Sequence, residues 1–176
     1  MIEISNNEPI IIGVLIIVYI IVEIYFNPIR LVNKCIKLRD LSKEEVEIFC
    51  NYFIEILSQE YDLKNPRFEI TNLKDEEINY VKYNNNQVLG FFNGGDHIKI
   101  SLQLNVIVEE NLSFTEMVEV IAHEFQHYLD YMSFNTNDQW ELAYTANVKY
   151  YEFKANNFAS KKVKRLVKNF LNEILE

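Results

Sequence analysis

The sequence has few cysteines and a shortage of basic residues. Its 176 residues include two cysteines, Cys35 and Cys50, and no C-x-x-C motif. This excludes a disulfide framework and a cysteine-rich structural metal site, and it agrees with reduced thiols in a cytoplasmic domain. Lysine and arginine number 17 against 26 acidic residues, which gives a net charge of −9. That charge opposes general nucleic-acid binding, so no nucleic-acid partner is expected.

The amino-terminal segment is apolar from Ile10 to Phe26, apart from Glu23. About 17 residues are at the short limit for a membrane span. No basic residue precedes the segment and no small-residue cleavage site follows it, which favours an uncleaved anchor over a signal peptide. A buried core helix or a cleaved leader are the alternatives. We therefore predict a tail with a single transmembrane helix at 1–27 and one domain at 28–176.

The charges that follow the apolar segment indicate its orientation. Four basic residues, Arg30, Lys34, Lys37 and Arg39, come soon after it, and the tail before it has none. The positive-inside rule then predicts a single-pass protein of the cell membrane with its domain in the cytoplasm, unless these residues are an ordinary solvated linker. A second basic cluster is expected to be a solvated helix face or, alternatively, a contact with anionic lipid: Lys161, Lys162, Lys164, Arg165 and Lys168.

An H-E-x-x-H motif occupies residues 123–127. Two histidines four residues apart on a helix are rotated by about 40°, so both imidazoles can bind one metal ion. Glu124 is next to the first histidine and suits a general base. Ser113 and Glu116 form a capping-box pattern that predicts a helix over 114–132. Its apolar stripe is expected to be buried: Phe114, Met117, Val118, Ile121, Phe125, Tyr128 and Leu129.

A third protein ligand is needed beside His123 and His127, and four acidic residues downstream are candidates: Asp130, Asp138, Glu141 and Glu152. Asp130 suits the orientation of a ligand or the end of the helix better than coordination. Glu152 is on a second helical pattern that could pack antiparallel to the first after a turn at 135–138. Glu141 falls on nearly the same face about 16 Å away, so only one of the two can bind the metal.

The run from Glu152 to Ala159 reads E-F-K-A-N-N-F-A. Together with H-E-x-x-H, it resembles the ImmA/IrrE-type zinc metallopeptidases, whose second motif is roughly E-x-x-A-D/N-x-F-A. The resemblance covers about residues 40–160 and implies one Zn²⁺ per chain, held by His123, His127 and Glu152. Residues 90–101 resemble the strand pair before the metal helix of that family. This chain departs from the family in its apolar amino terminus and in lacking a helix-turn-helix pattern.

The rest of the domain predicts an α+β fold. Ser42 and Glu45 begin a helix that extends to about Gln59. Strands are expected at Pro66–Thr71, Tyr80–Tyr83, Gln87–Phe92 and Ile98–Leu104, the last two joined as a hairpin through Asn93-Gly94-Gly95-Asp96. We predict a compact zincin-like domain, with a small, mostly antiparallel sheet packed on the two metal-binding helices. By analogy with the family, Ile98–Leu104 is the edge strand that would receive a peptide.

These features predict a zinc metallopeptidase that hydrolyses peptide bonds with Glu124 as general base. Its expected partners are a protein or peptide substrate and, through the amino-terminal helix, the lipid bilayer. The resemblance implies limited cleavage of a regulatory protein, and the anchor would favour a membrane-proximal one. A non-catalytic zinc-binding interaction or sensory module is the alternative. His97, Tyr144, Tyr150 and Tyr151 are equal candidates to stabilise the developing oxyanion.

Overall fold

The structure is a computed structural model that describes residues 8–71, 89–95, 97–103, 109 and 111–175. The described part contains six α-helices, one 3₁₀ turn at Leu38–Asp40 and three strands. The helices are α1 (Glu8–Phe26), α2 (Pro28–Cys35), α3 (Lys43–Glu60), α4 (Phe114–Tyr131), α5 (Asn137–Ala146) and α6 (Val148–Leu175). The strands are β1 (Arg67–Thr71), β2 (Gly90–Asn93) and β3 (Lys99–Gln103). The predicted α+β class is confirmed.

The described sheet is mixed rather than mostly antiparallel, with the order β1-β3-β2. The predicted hairpin is confirmed, because β2 pairs antiparallel with β3 and Asn93 lies opposite Lys99. On the other side of β3, β1 pairs in parallel. Residue alternation predicts a strand but not its direction, which explains the error. The strand expected at Tyr80–Tyr83 lies outside the described residues.

The expectation that Ile98–Leu104 forms the edge strand is wrong for the described sheet. There β3 is the central strand, and β2 is the edge strand that contacts α4. Ile100, Ser101, Leu102 and Gln103 are all at most 1% exposed, so both faces of β3 are covered. Continuous burial of this kind is typical of a central strand.

Both predicted capping boxes are present. Ser42 accepts a hydrogen bond from the Glu45 backbone and so begins α3, and Ser113 does the same for Glu116 at α4. Between α3, α4 and α6 lies a core that includes four aromatic rings in mutual contact: Phe49, Phe53, Phe114 and Phe170. The free thiol of Cys50 is buried in this core, and that of Cys35 is exposed. The helix that carries H-E-x-x-H is therefore fixed from several sides.

The segment after α4 differs from the predicted turn and single helix. Thr136 caps α5, which ends at Ala146, and α6 begins at Val148. Glu141 and Glu152 therefore lie on two different helices. The predicted antiparallel packing of the two motif helices is present, because His123 contacts Asn156 while His127, further along α4, contacts the earlier Glu152.

Helix α1 coincides with the apolar amino-terminal segment and contacts α2 and α6. Nine of its apolar side chains are 45–62% exposed: Val14, Leu15, Ile16, Ile17, Val18, Tyr19, Ile21, Val22 and Phe26. Among the described residues, no helix alone has the length and apolar composition of a membrane span. The stretches Gly13–Glu23 and Pro28–Asp40 meet that criterion only together, as a pair bent by 114°.

Candidate metal centre

The side chains of the two histidines of the motif lie side by side, with their Nε2 atoms next to each other. His123 lies in the third turn of α4, and His127 follows one turn later. Their Nε2 atoms are 3.1 Å apart, and their rings are nearly perpendicular. The helical spacing of the motif therefore produces the paired nitrogen donors that the sequence predicts.

Glu152 of α6 faces this pair with both carboxylate oxygens. Oε2 lies 3.3 Å from Nε2 of His123, and Oε1 lies 3.2 Å from Nε2 of His127. Ala155 and Ala159 on the same side of α6 are buried, and their small side chains let the two helices approach closely. Among the described residues, His123, His127 and Glu152 form a group that could hold one metal ion.

The donor spacing fits a tetrahedral zinc site. Zinc binds histidine nitrogen and carboxylate oxygen at about 2.0–2.2 Å, so neighbouring ligand atoms of a tetrahedron are about 3.3–3.5 Å apart. The two Nε2 atoms are 3.1 Å apart, and each lies 3.2–3.3 Å from one oxygen of Glu152, Oε2 for His123 and Oε1 for His127. Two histidines and one carboxylate also leave a fourth position for water. The residues present therefore fit zinc, although they do not by themselves select it over other divalent metals.

The charges of this group complement one another. Burial alone would raise the pKa of Glu152, but hydrogen bonds with His123, His127 and Tyr144 outweigh it and hold that pKa well below its usual range. Burial would lower the pKa of His123, yet the bond to Glu152 and the negative charges of Glu124 and Glu152 raise it. In this protein the carboxylate stays ionised and the site attracts positive charge.

Glu124 lies beside the two histidines and is 7% exposed. Burial raises the pKa of its carboxyl group, partly offset by the positive charges of His127 and His123 and by a backbone hydrogen bond from Phe92. That bond comes from the edge of β2 that faces away from β3, which pairs with no other strand among the described residues. Leu89 accepts from Gln103, and because the pairs of an antiparallel ladder alternate, the N–H and C=O of Gly90 and Phe92 point away from β3.

Gly90 allows β2 to lie this close to α4. A Cβ atom at position 90 would be 2.7 Å from Cγ1 of Val120 and 3.2 Å from Cγ of Glu124. Any other residue type at this position would force Val120 or the strand to shift. The sequence alone does not reveal this role, because a glycine in a short strand gives no sign of which residues pack against it.

Two further side chains orient the candidate ligands. Asn156 Oδ1 lies 3.0 Å from Nδ1 of His123, and the Tyr144 hydroxyl donates to Oε1 of Glu152 at 2.6 Å. Asn156 belongs to the second motif, four residues after Glu152, so helical spacing could have identified it. The sequence had suggested Tyr144 for a different role, as one of four candidates to stabilise the oxyanion. His127 is held instead by ring contacts with Trp140 and Tyr144.

The remaining candidates lie away from the donor atoms. Glu141 is exposed on α5 and accepts a hydrogen bond of 2.7 Å from Asn137. Asp130 is buried and joins the two motif helices, since its Oδ1 accepts from Gln126 of α4 and from Lys154 of α6. Asp138 is in the first turn of α5, and His97 is exposed beside the hairpin turn. Of the acidic candidates, only Glu152 is in the group with both histidines.

No family model, curated protein or solved structure matches this chain.

Proposed function

We propose that the chain is a zinc-dependent metallopeptidase of the ImmA/IrrE type. The observation that carries the proposal is the meeting of His123, His127 and Glu152 from two helices, with the buried Glu124 beside them. A site that only binds zinc has no need of a carboxylate at position 124. Three protein donors and one open position are the usual arrangement of catalytic zinc, whereas structural zinc usually has four protein ligands.

In the proposed mechanism of peptide hydrolysis, the three metal ligands and Glu124 have different roles. Zinc, when bound by His123, His127 and Glu152, would act as a Lewis acid on the scissile carbonyl and on the attacking water. The carboxylate of Glu124 accepts a proton from that water and passes it to the amine that leaves. Burial raises the pKa of Glu124, which makes the carboxylate a stronger base than an exposed glutamate.

We expect an extended substrate to bind at the edge of β2 that faces away from β3, where the described residues form no further strand. The edge is next to Glu124, which accepts the N–H of Phe92, while the backbone groups of Gly90 and the C=O of Phe92 also point away from β3. A peptide that adds to this edge would gain backbone hydrogen bonds and place its scissile bond near the metal donors. The substrate class is therefore a protein or peptide with an extended segment.

We also propose that α1 anchors the enzyme in the cell membrane, with the catalytic domain in the cytoplasm. The helix has 19 residues, or about 28 Å at 1.5 Å per residue, close to the hydrocarbon core of a bilayer. Its apolar side chains are largely exposed, and Arg30 follows in the first turn of α2. An anchored enzyme of this kind would cleave a regulatory or membrane-proximal protein.

The test compares the full-length chain with Glu124→Gln, both in detergent micelles with zinc. Each protein is incubated with a mixture of unstructured peptides, and new termini are identified by mass spectrometry. We expect Glu124→Gln to keep its zinc and lose nearly all cleavage. Glu141→Gln, which alters an exposed carboxylate on α5, should cleave like the parent.

Two results would contradict the proposal. Equal cleavage by Glu124→Gln and the parent would refute the assigned general base. A zinc-loaded parent that cleaves no peptide, either in the mixture or in a membrane-protein extract, would favour the non-catalytic zinc-binding module.

A further inference from the structure

Tyr144 contacts two of the three candidate metal ligands. Its hydroxyl donates to Oε1 of Glu152 at 2.6 Å, and its ring packs edge-on against His127 with centroids 5.5 Å apart. A hydrogen bond of this length to an ionised carboxylate is charge-assisted and strong. No motif in the sequence selects this residue over Tyr150 or Tyr151.

The fold fixes Tyr144 at this point. It lies one turn after Trp140 on α5, and its ring contacts both Trp140 and Tyr151. Trp140 is 6% exposed and also packs against Phe92 of the edge strand. The break at Asn147 then lets α5 lie across the start of α6, so that the hydroxyl reaches Glu152. The position of Tyr144 is thus set by the same aromatic cluster that borders β2.

The carboxylate of Glu152 could bind a metal in two ways. Oε1 is 3.2 Å from His127 and Oε2 is 3.3 Å from His123, so both oxygens border the space between the donors. Binding through both oxygens would fill four positions with protein atoms. Binding through one oxygen fills three and keeps a position for the water that hydrolysis needs.

We propose that Tyr144 is a positioning residue that makes Glu152 a ligand through Oε2 alone. Its hydroxyl draws on the lone pairs of Oε1 and leaves Oε2 as the better donor. Carboxylate ligands are commonly held by such an outer hydrogen bond, and its removal typically weakens metal binding by about 10–100-fold. The inference rests on the metal binding that the proposed function requires.

The experiment uses Tyr144→Phe in the full-length chain, which keeps the ring and removes one oxygen. Tyr151→Phe is the matched control, because that ring belongs to the same cluster while Tyr144 is the residue that donates to Glu152. Zinc affinity is measured by competition with a chromophoric chelator. The coordination number is followed by the visible absorption of the cobalt-loaded protein, which weakens as the number rises from four to five.

We expect Tyr144→Phe to bind zinc about 10–100-fold more weakly and to show the weaker cobalt spectrum, with Tyr151→Phe unchanged. Parental affinity and an unchanged spectrum in Tyr144→Phe would overturn the inference. If that variant does not fold, the visible spectrum of the cobalt-loaded parent is the test. A five-coordinate spectrum would overturn the inference, and a four-coordinate spectrum would support it. A folded parent that binds neither metal contradicts the proposed function as well, whereas a five-coordinate parent contradicts this inference alone.

Discussion

Substitution of Gly90 by alanine tests the close approach of the edge strand to the general base. The new Cβ would lie 2.7 Å from Cγ1 of Val120, 3.1 Å from the backbone oxygen of Ser101 and 3.2 Å from Cγ of Glu124. Carbon atoms pack best at about 3.5–4.0 Å, so the first contact is too short by about 1 Å. Valine in a helix has one preferred rotamer, so the strand has to move.

Two opposing terms set the size of the effect. Overpacking of this kind costs about 1–3 kcal/mol. Alanine also restricts the unfolded chain more than glycine does, which stabilises by about 0.4–1 kcal/mol where the conformation is compatible. We therefore expect Gly90→Ala to lower the free energy of unfolding by about 1–2 kcal/mol. Movement of β2 should also lengthen the bond from Phe92 to Glu124 and reduce turnover more than zinc binding.

The assay is denaturant unfolding of the full-length chain, followed by the fluorescence of its one tryptophan, which packs against β2. Gly13→Ala is the control, since a Cβ there would meet nothing within 4 Å and should cause no loss. Val120→Ala should partly rescue Gly90→Ala by removing the closest atom. Parental stability of Gly90→Ala, with no coupling to Val120→Ala, would refute the reasoning.

Two further predictions concern ion pairs made by α6. Lys154→Met should lower the free energy of unfolding by about 2–3 kcal/mol, because it leaves the buried carboxylate of Asp130 with only the hydrogen bond from Gln126. The control is Lys161→Met at an exposed position of the same helix, which should change the free energy of unfolding by less than about 0.5 kcal/mol. Both variants are measured by denaturant titration. Glu60→Gln should destabilise the fold by about 1 kcal/mol at pH 7. Although burial opposes the shift, the two basic partners of Glu60 on α6 lower its pKa in the folded state. The stabilisation is therefore present above the usual glutamate pKa of about 4.3 and lost as the pH falls through the folded value. Unfolding curves for Glu60→Gln and the parent that stay equally far apart at pH 7 and pH 3 would contradict this assignment.

The sequence was sufficient to predict α3 and α4, the second of which carries H-E-x-x-H. Ser113 and Ser42 are followed three residues later by glutamates, and both pairs form the predicted capping boxes. The helix predicted over 114–132 ends at Tyr131. Local signals of this kind depend on residues within one turn of each other, so a single sequence contains them in full.

The break between α5 and α6 could not be read in the same way. Neither glycine nor proline marks it, and Asn147 interrupts the helix with its N–H bonded to Tyr144 and its carbonyl oxygen accepting from Tyr150 and Tyr151. Periodicity alone favoured one continuous helix. This break places Glu141 and Glu152 on separate helices and brings Tyr144 to the site.

The order of the strands also depends on information that local patterns lack. In the sheet, β3 lies between β2 and the more distant β1, whose Arg67 is opposite Lys99, and it also contacts α4. The alternating sequence of β3, Lys-Ile-Ser-Leu-Gln, fits a central strand and an edge strand equally well before those partners are known. The contacts of Gly90 and Phe92 with α4 likewise depend on how distant parts of the chain pack together, so the local sequence does not predict them.

The metal content of the purified full-length chain tests the central claim most directly. Glu152→Ala and Glu141→Ala are prepared in parallel, all three proteins are offered zinc and dialysed, and bound metal is measured together with folding by circular dichroism. The account predicts one zinc per folded parent chain, lost in Glu152→Ala and kept in Glu141→Ala. A folded parent without zinc would contradict the peptidase proposal, and loss of zinc in Glu141→Ala instead would contradict the ligand assignment.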